Sequence, residues 1–382
     1  MRAYTIPVDM ATAMTETFES VLFIVPAQLG DVLLCTPAIR AARERWPQAR
    51  IGVLGFAGTL GLLAGNPDID ELVEMPAPSR PTWKSTLRGL WALRRHWRRW
   101  ELGVVARSTD RAHLAGLVTA RVRTALLVGD APWKRRAARH GVAYEHIHIV
   151  LNTLRLLGPW IAPPAGLAVQ APPPQPLPDA LAAALRQPCV VIHVPSMWRY
   201  KQWPVDHFRT VIEALLRDGV QVVVTAGPAA NDRDLVEPLR KLGAEPDLFV
   251  LAGTLRLPQL RTLLDHADAY LGPDTSVTHL AAAAGSPVVG VYGPSYPQVF
   301  GPWPAGHPAE PPWQKRAQRQ QVGEIVLLQG PDRADRPGCV PCNRMGCAHR
   351  HDSVSDCLVG LDPERVLAEL RRVLADARPS VP

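Results

Sequence analysis

Residues Gly272–Pro287 read Gly-Pro-Asp-Thr-Ser-Val-Thr-His-Leu-Ala-Ala-Ala-Ala-Gly-Ser-Pro. Before them Asp268–Leu271 has the character of a short buried strand, and after them Val288–Tyr292 has it again. Between the two, a helix opens at Asp274-Thr275-Ser276, residue types that cap helix N-termini, and runs through four alanines. Strand, helix, strand in that order is the unit of a parallel α/β sheet. Free N–H groups and the positive end of the helix dipole then point out from the strand's C-terminal edge, where such sheets bind phosphate. An ordinary capped helix has the same local sequence, so the rest of the chain has to decide.

The same order recurs upstream. Val21–Val25 reads as a strand, residues 26–31 as a loop, Val32–Trp46 as a helix and Ile51–Leu54 as a second strand. Asp31 falls where that first loop becomes a helix, as an N-cap or as a carboxylate at the sheet edge. Strand 102–106, a helix from Arg111 and strand 124–128 continue the alternation. Prolines then crowd residues 163–178, and residues 172–188 read as a stiff extended linker. A second series follows: strand 189–194, the loop His193–Pro204, a helix for which Pro204 suits the first turn, and strand 220–225. Residues 302–338 read as a long loop or insertion holding one apolar run, Ile325–Leu328. The expected division is a loose tail over 1–19, a first Rossmann-like domain over 20–171, the linker, a second Rossmann-like domain over 189–360 and a terminal helix over 361–382. Two such halves imply a cleft, where ligands usually bind.

The chain has 382 residues and a net charge of +7. Residues 1–180 hold 21 Lys and Arg against 14 Asp and Glu, so the whole excess lies in the first half. An anionic partner for that half is expected: nucleic acid, phosphorylated lipid or glycolipid. Residues 83–100 read as a helix with Leu87, Leu90, Trp91 and Leu93 inward and Arg94, Arg95, Arg98 and Arg99 outward. Lys134-Arg135-Arg136 is a second basic cluster. Trp91, Trp97 and Trp100 suit a lipid interface. No signal peptide or membrane span is legible, which leads to the expectation of a cytosolic protein.

Gly30-Asp31-Val32-Leu33 with Thr36-Pro37-Ala38, Arg199–Lys201 before Trp203-Pro204, and Asp274-Thr275 through His279-Leu-Ala-Ala-Ala together resemble the bacterial ADP-heptose:lipopolysaccharide heptosyltransferases, glycosyltransferase family nine. The resemblance covers roughly residues 20–300 and the terminal helix. It implies an α/β GT-B fold: two Rossmann-like domains facing across a cleft, acceptor mostly on the first and nucleotide sugar on the second, with the last helix returning to the first domain. It further implies an inverting transfer of heptose from ADP-heptose to an anionic lipopolysaccharide-core acceptor. The protein would be peripheral on the cytoplasmic face of the inner membrane, and no nucleic acid would take part. Asp31 matches the family's general base, and a carboxylate suits a hydroxyl that must lose its proton as it attacks. Lys201 matches the basic residue that neutralises the departing ADP. Arg199, Asp274, Thr275, Ser276 and His279 match the donor side, with Ser276 in place of the usual Gly. No catalytic metal is implied, and the pairs Asp68/Asp70 and Asp232/Asp234 are not assigned to one.

Cys339, Cys342, Cys347 and Cys357 lie within nineteen residues. Such a cluster in a cytosolic chain favours a structural metal, zinc or iron, over disulfides. Two alternatives to lipopolysaccharide transfer stand beside it: a protein O-heptosyltransferase using the same donor, and a non-catalytic nucleotide-sugar or nucleic-acid binding protein.

Overall fold

The computed structural model describes residues 15–77, 82–129, 131–242 and 246–377. The chain divides into two units, residues 1–172 with 306–310, and residues 173–305 with 311–382.

The first unit is built on a six-stranded parallel sheet: β1 Ser20–Ile24, β2 Arg50–Phe56, β3 Glu71–Met75, β4 Trp100–Val105, β5 Ala120–Leu127 and β6 His140–Ala143. The strand order is β3-β2-β1-β4-β5-β6. Every residue of β1 is buried, as both faces of a parallel sheet require. The helix expected over Val32–Trp46 is two helices, Leu29–Leu33 and Thr36–Arg45, with Pro37 in the first turn of the second. Proline has no N–H to continue a ladder, so the break falls just ahead of it. Asp31 lies inside the first of these helices; the N-cap is Gln28.

The second unit repeats the plan with β7 Cys189–His193, β8 Gln221–Ala226, β9 Leu248–Ala252, β10 Ala269–Pro273, β11 Val288–Tyr292, β12 Arg319–Val322 and β13 Ile325–Gln329. The order is β12-β13-β11-β10-β7-β8-β9, and only the hairpin strand β12 is antiparallel. Read from β9 to β13, this is the doubly wound order of the first sheet. In both sheets the chain reverses direction of growth at one gap, between β1 and β4 and between β7 and β10.

Four expectations are corrected. Of the tail over 1–19, residues 1–14 lie outside the described residues, but Glu16 and Phe18 are anchored. Phe18 packs edge-on against Trp46 and Trp160 at 5.2 and 5.4 Å, and Glu16 pairs with Arg139 at 2.7 Å. The linker 172–188 contains a helix, Asp179–Ala184, and is tied down where Thr262 donates to the Gln175 carbonyl at 2.6 Å. The insertion 302–338 holds a β-hairpin, because Ile325–Gln329 is buried along its whole length and extends the sheet beside β11. The last helix, Pro363–Ala377, belongs to the second unit rather than returning to the first. Its Val366, Leu367, Leu370 and Leu374 join one core with Phe208, Val211 and Leu215 of the helix Val205–Arg217. An apolar stripe of that kind stays where it finds matching apolar surface.

Candidate active site

In the second unit, the loop after β7 and the loop after β10 meet beside the reversal of strand order. Arg199–Lys201 forms a single 3₁₀ turn after β7. From it the Lys201 ammonium reaches the Asp274 carboxylate at 2.7 Å. Asp274 is 6% exposed and directly follows β10. Burial acts to raise its carboxyl; the Lys201 charge and hydrogen bond, a Ser295 hydrogen bond and the nearby His279 hold it below the ordinary Asp range. The buried carboxylate is therefore ionised and fixes the lysine nitrogen.

The helix Ser276–Ala284 begins there, with Thr275 as an extended N-cap whose side chain makes no cap hydrogen bond. Asp274 is thus not the cap that its residue type suggests. Thr278 turns inward and donates to the Pro273 carbonyl at 2.5 Å, which locks strand to helix. Thr275 and Ser276 are half-buried at the helix mouth, His279 is buried one turn in, and Arg199 is exposed on the lysine's turn. Backbone N–H groups at a helix start beside a fixed ammonium form an anion site suited to a diphosphate.

The first unit carries a second carboxylate–cation pair. Asp31, past β1, receives a hydrogen bond from the Arg107 guanidinium, past β4, at 3.1 Å. Their side chains are 17% and 29% exposed, so this pair meets solvent. Cys35 next to it is a buried thiol pushed up to about 12, first by burial and then by the Asp31 charge.

The sequence reading missed Arg107 and Ser295. Arg107 sits two residues past a strand end at the point of reversal, a legible signal once the strand order is known. Ser295 lies past β11, and no spacing in the sequence marks it. The two Asp-x-Asp pairs have local uses. Asp68 and Asp70 pair with Arg40 at 3.0 Å and Arg43 at 2.6 Å, and Asp232 occupies a helix's first turn.

The four clustered cysteines are free, Cys357 buried and Cys347 exposed. Burial pushes the Cys357 thiol up to about 12, and the charges of Cys342, Cys347 and Cys339 add to it. Backbone N–H groups of Arg333 and Asp356 point at the sulfurs of Cys339 and Cys347, each at 3.4 Å. Among the described residues, no group of three or more His, Cys, Asp or Glu side chains is gathered to hold a metal ion.

The basic stretch also differs from expectation. Its helix is Trp83–Ala92, followed by a 3₁₀ turn Leu93–His96, and Trp100 already begins β4. Leu93 and Trp100 are core, but Leu87 and Trp91, expected inside, are 55% and 64% exposed. Trp83, Leu87 and Trp91 are spaced four apart and make one outward apolar stripe, with Trp97 exposed beyond it. Arg94 lies over the Trp91 ring at 3.7 Å. The helix turns its smallest residue, Gly89, inward instead, against the end of Met75. Lys134 is not a surface cation: it is buried, giving hydrogen bonds to Ser108 and Asp110. Among the described residues no helix is long and apolar enough to cross a membrane.

The profile of glycosyltransferase family 9 (heptosyltransferase) matches residues 112–320. Lipopolysaccharide heptosyltransferase 3 of Escherichia coli K12 is 29% identical to this chain, over 72% of this chain and 82% of that protein. Among solved structures, a family 9 glycosyl transferase from Veillonella parvula superposes with a TM-score of 0.70 at 18% identity, covering 94% of this chain and 98% of that one. The ADP-heptose lipopolysaccharide heptosyltransferase II of E. coli superposes at 0.68 with 19% identity, over 94% and 99%. These superpositions bear out the two-domain parallel α/β architecture.

Proposed function

Since the chain belongs to glycosyltransferase family 9 and is a glycosyltransferase, we propose that it transfers heptose from ADP-heptose to the inner core of lipopolysaccharide with inversion at the anomeric carbon. The observation that carries this is the Lys201 ammonium, fixed by Asp274 at the mouth of the helix Ser276–Ala284, where ammonium and helix N–H groups together suit a diphosphate. Asp31 accepts the proton of the acceptor hydroxyl as its oxygen attacks the anomeric carbon. The bond from that carbon to the ADP oxygen breaks, and its electron pair leaves with ADP. Lys201 and the helix N-terminus meet the charge that develops on the diphosphate. Asp274 holds Lys201 in place on the donor side, with Arg199, Thr275, Ser276 and His279 around the donor. Arg107 keeps the Asp31 carboxylate aimed. No metal takes part in this sequence of events.

Proton NMR of the product would test the stereochemistry. Inversion is expected, and retention would overturn the single displacement. Acceptor competition separates the remaining reading: a lipid A–core precursor should be used, and an unmodified passenger polypeptide should not. The reverse preference would make the chain a protein O-heptosyltransferase.

Two further proposals accompany this one. The acceptor is carried on lipid, so the chain works at the cytoplasmic face of the inner membrane. The Trp83–Leu87–Trp91 stripe, Trp97 and the exposed Arg94, Arg95 and Arg98 are the surface suited to that face. Separately, Cys339, Cys342, Cys347 and Cys357 are proposed to take a structural zinc or iron ion. Four thiols within nineteen residues, two with N–H groups directed at their sulfurs, have the donor chemistry for it. The side chains would still have to close in.

A further inference from the structure

The segment Cys339–Cys357 is more than a surface appendage, because its contacts fall on the loop after β7 that carries Lys201 and on the loop after β11 whose Ser295 bonds Asp274. On the lysine side, the Ser355 hydroxyl donates to the Tyr200 carbonyl at 2.7 Å, and Ser355 is 1% exposed. Gly346, at φ +72°, lies so close that a Cβ there would stand 3.0 Å from the Tyr200 Cβ and 2.5 Å from the Ser353 hydroxyl. The His351 ring lies over Trp198 with centroids 4.1 Å apart. On the aspartate side, the Asn343 N–H donates to the Pro294 carbonyl at 2.7 Å. A Cβ on Gly293 would stand 3.0 Å from the Cys357 sulfur and 2.6 Å from Leu358. Pro294 precedes Ser295, the hydroxyl bonded to Asp274.

A three-residue 3₁₀ turn does not hold its own shape, since such turns have poor hydrogen-bond geometry and few bonds. Arg199–Lys201 is such a turn, and the lysine it carries has a long, flexible stem. Something outside the turn must fix its backbone for the ammonium to stay at one point.

We infer that the cysteine-bearing segment is a clamp on the donor side of the site, with Ser355 as a positioning residue that sets Lys201 through the Tyr200 backbone. This rests on the reading of Lys201 as the diphosphate lysine. It predicts that loosening the segment changes donor use while sparing acceptor use, which loss of general packing would not do.

The test uses the full chain. Ser355→Ala should weaken ADP binding, measured by titration calorimetry, by about three- to ten-fold, the effect of one buried hydrogen bond. The donor KM should rise with it and the acceptor KM should not. Ser355→Thr, which keeps the hydroxyl, should restore most of the affinity. His351→Ala, at an exposed position, should shift ADP affinity the same way by about two-fold or more. A lowered thermal midpoint with unchanged ADP affinity would overturn the clamp. Lys201→Ala, run alongside, separates two failures. If it weakens ADP binding and Ser355→Ala does not, the clamp alone falls. If both bind ADP as wild type does, the donor reading falls and takes the clamp with it.

Discussion

The two units place a carboxylate and a cation at the same point of the same fold, in opposite order. In the first, the acid follows β1 and the cation follows β4: Asp31 and Arg107. In the second, the cation follows β7 and the acid follows β10: Lys201 and Asp274. Both gaps are the points of reversed strand order, where two loops diverge and leave a crevice. Burial separates the pairs. Asp274 is sealed in and held ionised by its lysine, whereas Asp31 meets solvent. A base must exchange its proton with substrate and water, so the open carboxylate suits that work. A sealed carboxylate is a mount for its partner.

Asp31→Asn breaks the comparison at its most sensitive point. It should fold normally and lose about 10²–10⁴-fold in turnover, the usual contribution of a general base. Steady-state rates within a few-fold of wild type would show that the open carboxylate is not the base.

Lys201→Ala tests the sealed pair and should act on stability and donor use together. An unpaired buried carboxylate costs about 3 kcal/mol, visible in a denaturant titration. The pH dependence gives the sign. In wild type the Asp274 carboxyl is held below its ordinary value, so its contribution is complete above that value and is lost as pH falls through the folded-state pKa. Without Lys201, burial is the largest influence left and pushes the carboxyl up. The deficit of the variant should therefore grow as pH rises from below the ordinary Asp value to above it. A deficit independent of pH would mean that the lysine does not hold Asp274. Unchanged kinetics with varied ADP-heptose would place Lys201 outside the donor site.

The surfaces of the two units differ as well, and smaller effects sharpen that difference. The first unit presents the outward Trp and Leu stripe among arginines. It should co-sediment with anionic vesicles at low salt and release at high salt, because each cation near such a surface is worth about 1 kcal/mol and salt screens it. Reversing Arg95 and Arg98 to Glu, or replacing Trp83 and Trp91 by Ser, should weaken co-sedimentation and raise the acceptor KM only. Binding indifferent to salt and to both replacements would make the stripe an ordinary exposed face. On the second unit, elemental analysis of protein purified without an affinity metal should find about one zinc or iron per chain. Metal-free, fully active protein would leave the four cysteines as free thiols.

Much of this was legible in the sequence, for identifiable reasons. The parallel sheets announce themselves because strands such as Val21–Val25 and Val288–Tyr292 are apolar throughout and are separated by helices. Asp31, Lys201 and Asp274 lie in the segments that follow β1, β7 and β10, so those segments could be placed before their partners were known. What the sequence could not show depends on contacts far apart in the chain. Arg107 meets Asp31 across 76 positions, and Ser355 meets Tyr200 across 155. In the basic stretch Leu93 is buried and the arginines are exposed as expected, but Leu87 and Trp91 face outward. Its pattern of Leu and Trp is amphipathic, but periodicity does not say which face the core takes, and a core that accepts Gly89 leaves the aromatic stripe outside. The terminal helix was misplaced because an apolar stripe does not name its partner. The match came from Phe208, Val211 and Leu215 in its own unit.

The most direct test of the central claim is ADP release by the wild-type chain given ADP-heptose and a lipid A–core acceptor. The account predicts release that depends on the acceptor and matches the heptosylated product one to one. Failure to form that product or release ADP, with folded protein and both substrates present, would contradict it.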